Sequence, residues 1–128
     1  MDLVFNTTRR FEKDLRKYRG PDRERVVKKV NDLADLYVAD QARFRRQAMQ
    51  FPAKVFLSGL ESSLYSARVS HKERLIFTAE DDPLFNEVVF TLFALTNHGR
   101  VGRVLDGIAQ SLYQPAQVQS EEGSDDTD

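Results

Sequence analysis

The sequence contains no cysteine and no tryptophan, and it has only six glycines and four prolines among its 128 residues. Without cysteine the protein has no disulfide framework, no thiolate nucleophile and no cysteine zinc site. No apolar run approaches the roughly 20 residues that a membrane helix requires, and the N-terminus lacks the layout of a signal peptide. A hydrophobic content of 41% with 30% charged residues is typical of one globular domain. We therefore expect a cytoplasmic protein without membrane contact.

Motifs for common cofactors are also missing. The sequence has no glycine-rich phosphate loop and no zincin motif, and its acidic residues are scattered rather than paired. The sequence therefore predicts neither a cofactor nor a bound metal.

The net charge of −1 conceals an uneven distribution. Five acidic residues and no basic one lie between Glu121 and Asp128, so the remaining 120 residues carry a charge of +4. The segment from Gln114 onward is polar, lacks aromatic residues and cannot bury enough apolar surface to offset the entropy of the chain. We therefore predict a domain over residues 1–113 that is mildly basic, followed by a disordered acidic tail over residues 114–128.

Helical patterns follow a short opening strand at Leu3–Phe5. Apolar residues recur at helical spacing between Phe11 and Tyr18 and again between Val26 and Val38, and Gly20-Pro21 separates the two segments. This pattern predicts a helical hairpin with a basic outer surface, which most often is simply a solvated face. Between residues 40 and 60 the sequence allows either an extension of the second helix or a loop.

Strand patterns dominate the second half. Residues 64–69 alternate, with Tyr65 and Ala67 on one face and Ser66 and Arg68 on the other. A second strand is predicted at residues 75–78, a turn or loop at 80–83, and a strand buried on both faces at 88–96. A short helix over residues 100–113 closes the domain. The order strand, two helices, three strands and a final helix predicts an α+β fold, with the helical hairpin packed on one face of a largely antiparallel sheet.

Three polar residues of the strand half are candidates for chemistry. Arg68 interrupts the first strand of the meander, Arg74 opens the second, and His98 follows the third. In an antiparallel meander the start of one strand lies beside the end of its neighbour, which brings Arg74 close to His98. Guanidinium groups bind phosphate oxygens and stabilise a phosphorane-like transition state, and histidine transfers protons near neutral pH. The competing interpretation is an ordinary surface arginine and a loop histidine.

The segment LYSARVSHKERLIF (residues 64–77) resembles a pattern of the RelE/ParE superfamily of bacterial toxins, in which an aromatic-Ser-x-Arg-Val strand precedes a short turn and an arginine with an apolar run. VVFTLFALTNH (88–98) is similar to the last central strand of that superfamily. The start of the hairpin, FEKDLRKY (11–18), and residues 57–69 also match. The resemblance covers roughly residues 3–105 and implies the RelE-like fold.

The resemblance implies a type II toxin that cleaves mRNA on the ribosome without metal, through the RNA 2′-hydroxyl. By position Arg74 corresponds to the arginine that contacts the scissile phosphate, Arg68 to a basic residue of the same site, and His98 to the proton-transfer histidine of YoeB-like members. We expect the remaining RNA-binding positions to be Lys54, Arg45, Arg46, Arg100 and Arg103. The expected partners are a cognate antitoxin, covering the basic hairpin, and mRNA on the ribosome.

Two alternatives stay open. The first is a ParE-like inhibitor of DNA gyrase. The second is an inactive binding module of the same fold, because Gly99 follows His98 where YoeB-like members often have tyrosine, and Lys54 and Val55 occupy the region of an upstream catalytic carboxylate.

The acidic tail leads to a first prediction. If residues Glu121–Asp128 compete with RNA for the basic surface, their deletion should tighten RNA binding at low salt, and the difference should shrink as salt screens the charges. Titration of a labelled RNA oligonucleotide at low and at high salt measures both effects. Equal RNA affinities of the full-length protein and the deletion variant at low salt would show that the tail does not compete with RNA.

Overall fold

The computed structural model describes residues 2–50 and 64–113. Its strands are β1 (Asp2–Thr7), β2 (Ala48–Gln50), β3 (Leu64–Arg68), β4 (Glu73–Asp82) and β5 (Glu87–Asn97). Its helices are α1 (Arg9–Leu15), α2 (Pro21–Ala39), α3 (Gln41–Gln47) and α4 (Val101–Tyr113), the last preceded by a 3₁₀ turn at His98–Arg100. None of these helices is long and apolar enough to cross a membrane.

The five strands form one mixed sheet in the order β1-β5-β4-β3-β2. Strands β2 to β5 pair antiparallel with their neighbours, whereas β1 pairs parallel to β5. The α+β class, the helical hairpin and the strand meander are therefore as predicted. Helices α1 to α3 connect β1, at one edge of the sheet, to β2, at the opposite edge. The longest strands, β4 and β5, lie between these two edges.

The helical face of the sheet carries an aromatic core. Phe77 and Phe90 stack with ring centroids 5.5 Å apart, and Phe44 of α3 meets Tyr37 and Tyr65 edge to face at 5.0 and 5.1 Å. The Phe44, Phe77 and Phe90 side chains are fully buried. Edge-to-face and offset contacts are the favoured aromatic geometries, so this cluster fixes α2 and α3 on the sheet.

The opposite face is covered by α4, which packs on Leu64, Ile76 and Ala94. A bulge lies here, because Ile76 pairs with Ala94 and Phe77 with Leu92, which leaves Phe93 as the extra residue of β5. Beyond the area that α4 covers, alternate residues of β5 are only half-buried. The prediction of a strand buried on both faces is therefore correct only at the C-terminal part of β5.

Three boundaries differ from the sequence prediction. Helix α1 ends at Leu15 rather than continuing to Tyr18. Residues 41–47 form a separate helix, since Asp40 both ends α2 and caps α3 by accepting from the Arg43 N–H at 3.1 Å. The acidic residues 80–82 belong to β4, where they pair with β5. The turn therefore lies beyond Asp82, whose Oδ1 accepts from the Leu84 N–H.

Tyr37 gives the fold a defined response to alkaline pH. Burial, together with the nearby Asp81 carboxylate that hydrogen-bonds the hydroxyl, raises its pKa from 10.0 to about 12. The folded protein holds this proton more tightly than the unfolded chain, so the stability linked to Tyr37 is complete below pH 10 and is lost between pH 10 and 12. In urea unfolding at about pH 9 and about pH 11, we expect a larger loss of stability in the wild type than in Tyr37→Phe. Parallel losses in the two proteins would contradict this assignment.

Candidate functional site

Arg74 and His98 meet at one end of the sheet. Glu73 at the start of β4 pairs with Asn97 at the end of β5, and the His98 N–H donates to the Lys72 carbonyl at 2.8 Å. The Arg74 Nη2 lies 3.3 Å from the His98 Nδ1. The proximity predicted from the antiparallel meander is therefore present.

The turn between β3 and β4 holds the Arg74 side chain in place. Its Nη1 donates to the carbonyls of Ser70, His71 and Glu73 at 3.0, 3.3 and 3.2 Å. The turn itself is closed by Ser70 and Glu73, because the Ser70 hydroxyl donates to the Glu73 carboxylate and accepts from the Glu73 N–H at 3.2 Å. One edge of the guanidinium is thus fixed by backbone, and the Nη2 edge is directed to His98.

Arg68 lies directly across from Arg74. The two residues are register partners on β3 and β4, and therefore share a face of the sheet. Like charges in this position destabilise a sheet unless an anion lies between them. The ion pairs found in residues 2–50 and 64–113 are Arg10–Asp14, Arg25–Asp22, Lys28–Asp32 and Arg43–Asp40, so neither strand arginine is neutralised by a carboxylate there. This arrangement favours binding of an anionic ligand.

The contact with Arg74 assigns the proton of His98. A guanidinium is only a donor, so a hydrogen bond to Nδ1 requires that atom to accept, and the neutral imidazole then carries its proton on Nε2. His98 is exposed, which leaves the Nε2–H accessible to a ligand. The site therefore combines two guanidinium groups, which can bind an anion such as phosphate, with one N–H group able to donate a hydrogen bond.

Two of the other predicted residues belong to α3. Arg45 and Arg46 are exposed in the last turn of α3, at the end of the sheet where Ala48 pairs with Ala67, next to Arg68. The hydrogen bonds found among the described residues do not join them to Arg74 or His98. Lys54 and the tail over residues 114–128 lie outside the described residues.

Arg100 and Arg103 line a separate cleft. This cleft, of about 410 Å³, lies between α1 and α4 and includes Arg10 of α1. Arg100 belongs to the turn that begins at His98, so the cleft is adjacent in the chain to the candidate site. In the described part of the chain, no cluster of three or more His, Asp or Glu side chains is suited to a metal ion.

Sequence reasoning missed Ser70, Glu73 and Arg10. The Ser-x-x-Glu spacing of residues 70–73 was a usable signal, because the same reciprocal hydrogen bonding closes helix N-termini. Nothing in the sequence pattern joins Arg10 to α4, since the two are brought together only by packing on the sheet.

No family model and no curated protein matches the sequence. Among solved structures, the chain is similar to one from the archaeal RelE–RelB complex of Pyrococcus horikoshii OT3, with 16% identity and a TM-score of 0.51 over 78% of this chain and 99% of that chain. It is also similar to a YoeB/ParE toxin from Agrobacterium tumefaciens (21% identity, TM-score 0.44, 77% and 99% covered) and to the YoeB dimer from Staphylococcus aureus (19%, 0.46, 77% and 99%). The first of these similarities carries the assignment: the chain has the RelE-like toxin fold that the sequence resemblance predicts.

Proposed function

We propose that this protein is the toxin of a toxin–antitoxin system and that it cleaves mRNA on the ribosome. The single observation that carries the proposal is the contact of Arg74 with His98 beside the facing Arg68. Two cations and an N–H hydrogen-bond donor at one end of the sheet match the needs of phosphodiester cleavage in RNA. The RelE-like fold supports the same activity.

In the proposed reaction the RNA supplies its own nucleophile. The 2′-oxygen attacks the adjacent phosphorus and releases its proton to solvent water, while Arg68 and Arg74 bind the phosphate oxygens and stabilise the added negative charge. The P–O5′ bond breaks, the departing 5′-oxygen takes a proton from solvent water, and the His98 Nε2–H stabilises the charge that develops on that oxygen by donating a hydrogen bond to it. The products are a 2′,3′-cyclic phosphate and a 5′-hydroxyl end.

We further propose an antitoxin protein as the partner. One of the solved structures that the chain resembles is a RelE–RelB complex. Five basic residues of the first helix and the turn after it are exposed and offer a surface for an acidic partner: Arg9, Arg10, Lys13, Arg16 and Lys17. An antitoxin that covers this surface would also keep RNA away from it by occupying the same charges.

The mechanism is tested by removing the nucleophile. Ribosomes carrying a short mRNA are incubated with the protein, and the same mRNA is prepared with a single 2′-deoxynucleotide at the cleaved position. We expect cleavage with cyclic-phosphate ends only in the all-ribose mRNA. Cleavage of the deoxy mRNA, or no cleavage combined with inhibition of DNA supercoiling by gyrase, would contradict the proposed function.

A further inference from the structure

The arginine-lined cleft between α1 and α4 has no role in the proposed cleavage of RNA. On one wall Arg100 of the 3₁₀ turn precedes four residues of α4 that are spaced at helical intervals and so form one stripe of that helix: Arg103, Val104, Gly107 and Ile108. Arg10 faces this stripe from α1. The cleft therefore has basic residues on both of its walls and an apolar strip between them.

The walls are held by the bulge in β5. The Thr8 hydroxyl, at the start of α1, donates to the Phe93 carbonyl at 2.9 Å, and the Phe93 side chain packs against the α4 cluster. Phe93 is the extra residue of the bulge, so one residue fixes the start of α1 and contacts α4. The cleft is thus built into the fold and does not depend on a loop.

The charges in the cleft are poorly neutralised. Arg10 approaches Asp14 only through Nε, at 3.6 Å, and its side chain remains 54% exposed. Arg100 and Arg103 are exposed and take part in none of the four ion pairs of the described residues. Three guanidinium groups around one cleft favour an anionic ligand, and phosphate is the anion that they bind best.

Gly107 is a second, independent feature of the site. A glycine inside a helix is less stable than alanine at the same position. A Cβ at Gly107 would meet nothing within 4 Å, so there is open space on this side of the helix. Because Gly107 lines the cleft, its missing side chain keeps the apolar strip open beside Val104 and Ile108.

We propose that this cleft binds one nucleotide of the single-stranded RNA next to the phosphodiester held by Arg74 and His98. The arginines would bind its phosphate, and its sugar or base would lie on the open strip at Gly107. The choice of RNA as the ligand rests on the proposed function. Arg100 lies two residues after His98, so one strand can pass from the site into the cleft.

The test compares two glycines of the same helix. Gly102 is also open, with nothing within 4 Å of an added Cβ, but it does not line the cleft. Gly107→Leu and Gly102→Leu therefore add the same side chain to α4, and only the first fills the cleft. Because leucine is a better helix former than glycine, we expect both variants to melt a few degrees above the wild type.

Binding is measured by fluorescence anisotropy with a labelled 2′-O-methyl RNA hexanucleotide, which cannot be cleaved. We expect Gly107→Leu to weaken binding about tenfold and Gly102→Leu to leave it unchanged. Arg10→Ala/Arg103→Ala should also reduce the salt dependence, by about 0.7 in the slope for each phosphate that the protein no longer neutralises. Arg23→Ala, at an exposed position of α2, is the control for the loss of one charge away from the cleft.

Three results would overturn the inference: equal binding by the two leucine variants, no binding of the hexanucleotide by the wild type at low salt, or binding of an acidic peptide such as EEGSDDTD in place of RNA. Failure of the proposed function is a separate outcome. If the wild type binds the hexanucleotide through Gly107 but does not cleave mRNA on the ribosome, the cleft stands as an RNA site and the nuclease assignment falls.

Discussion

Replacing Arg74 by alanine is expected to slow RNA cleavage about 100- to 1000-fold, the usual cost of losing one preorganised group that stabilises transition-state charge. The substitution removes a cation from the scissile phosphate. It also removes the donor that holds His98 Nδ1 at 3.3 Å and thereby keeps the proton on Nε2. Single-turnover cleavage of ribosome-bound mRNA measures the effect, and induction in growing cells should show a matching loss of toxicity.

Two further variants make this result specific. Arg74→Lys keeps the charge but has one nitrogen, which cannot contact both the turn carbonyls and His98, so its rate should fall between wild type and alanine. Arg23→Ala removes an equal charge from an exposed position on α2 and should cleave at the wild-type rate. Thermal melting of each variant separates lost activity from lost folding. Wild-type cleavage by a folded Arg74→Ala protein would show that the reaction does not occur at this site.

Replacing Phe44 by alanine is expected to lower the free energy of unfolding by about 3–5 kcal/mol. The ring is fully buried and meets Tyr37, Tyr65 and Phe77 edge to face, so the truncation leaves a cavity at the junction of α3, α2 and the sheet. A loss of this size is a large part of the stability of a small domain. Urea unfolding at neutral pH measures it directly.

The hairpin tip provides the matched control. Phe85 has the same side chain but is 66% exposed, so Phe85→Ala should change the stability by less than about 0.5 kcal/mol. Phe44→Leu, which retains most of the buried volume, should lose less than Phe44→Ala. Similar losses in Phe44→Ala and Phe85→Ala would contradict the position of Phe44 in the core.

The sequence was informative wherever local pattern and topology agree. Alternation in residues 64–69 correctly places Ala67 and Ser66 on opposite faces of the sheet. The antiparallel order of β4 and β5 then brings the first residues of one strand beside the last residues of the other, and this alone predicted the meeting of Arg74 and His98. The first inference needs only the alternation of side chains between the two faces of a strand, and the second needs only the antiparallel direction of neighbouring strands.

The features that the sequence did not predict depend on contacts between distant segments. Helix α3 ends where Ala48 begins to pair with Ala67, which belongs to a later segment of the chain, β3. The acidic end of β4 looks like a loop in isolation, and it becomes strand because Asp81 pairs with Val88 and lies near Tyr37. Arg10 joins the cleft only through the packing of α1 and α4. Such tertiary contacts override local propensity.

The parallel pairing of β1 with β5 has a consequence for how the protein is made. Asp2 pairs with Glu87, so β1 cannot pair with β5 until most of the domain has been synthesised. At about 5–20 residues per second this delay is on the order of ten seconds during synthesis. The contact of Arg74 with His98 also forms late in synthesis, because His98 follows β5 in the chain. The candidate site is therefore assembled only after both ends of the sheet's central strands have been synthesised, late in the production of the domain.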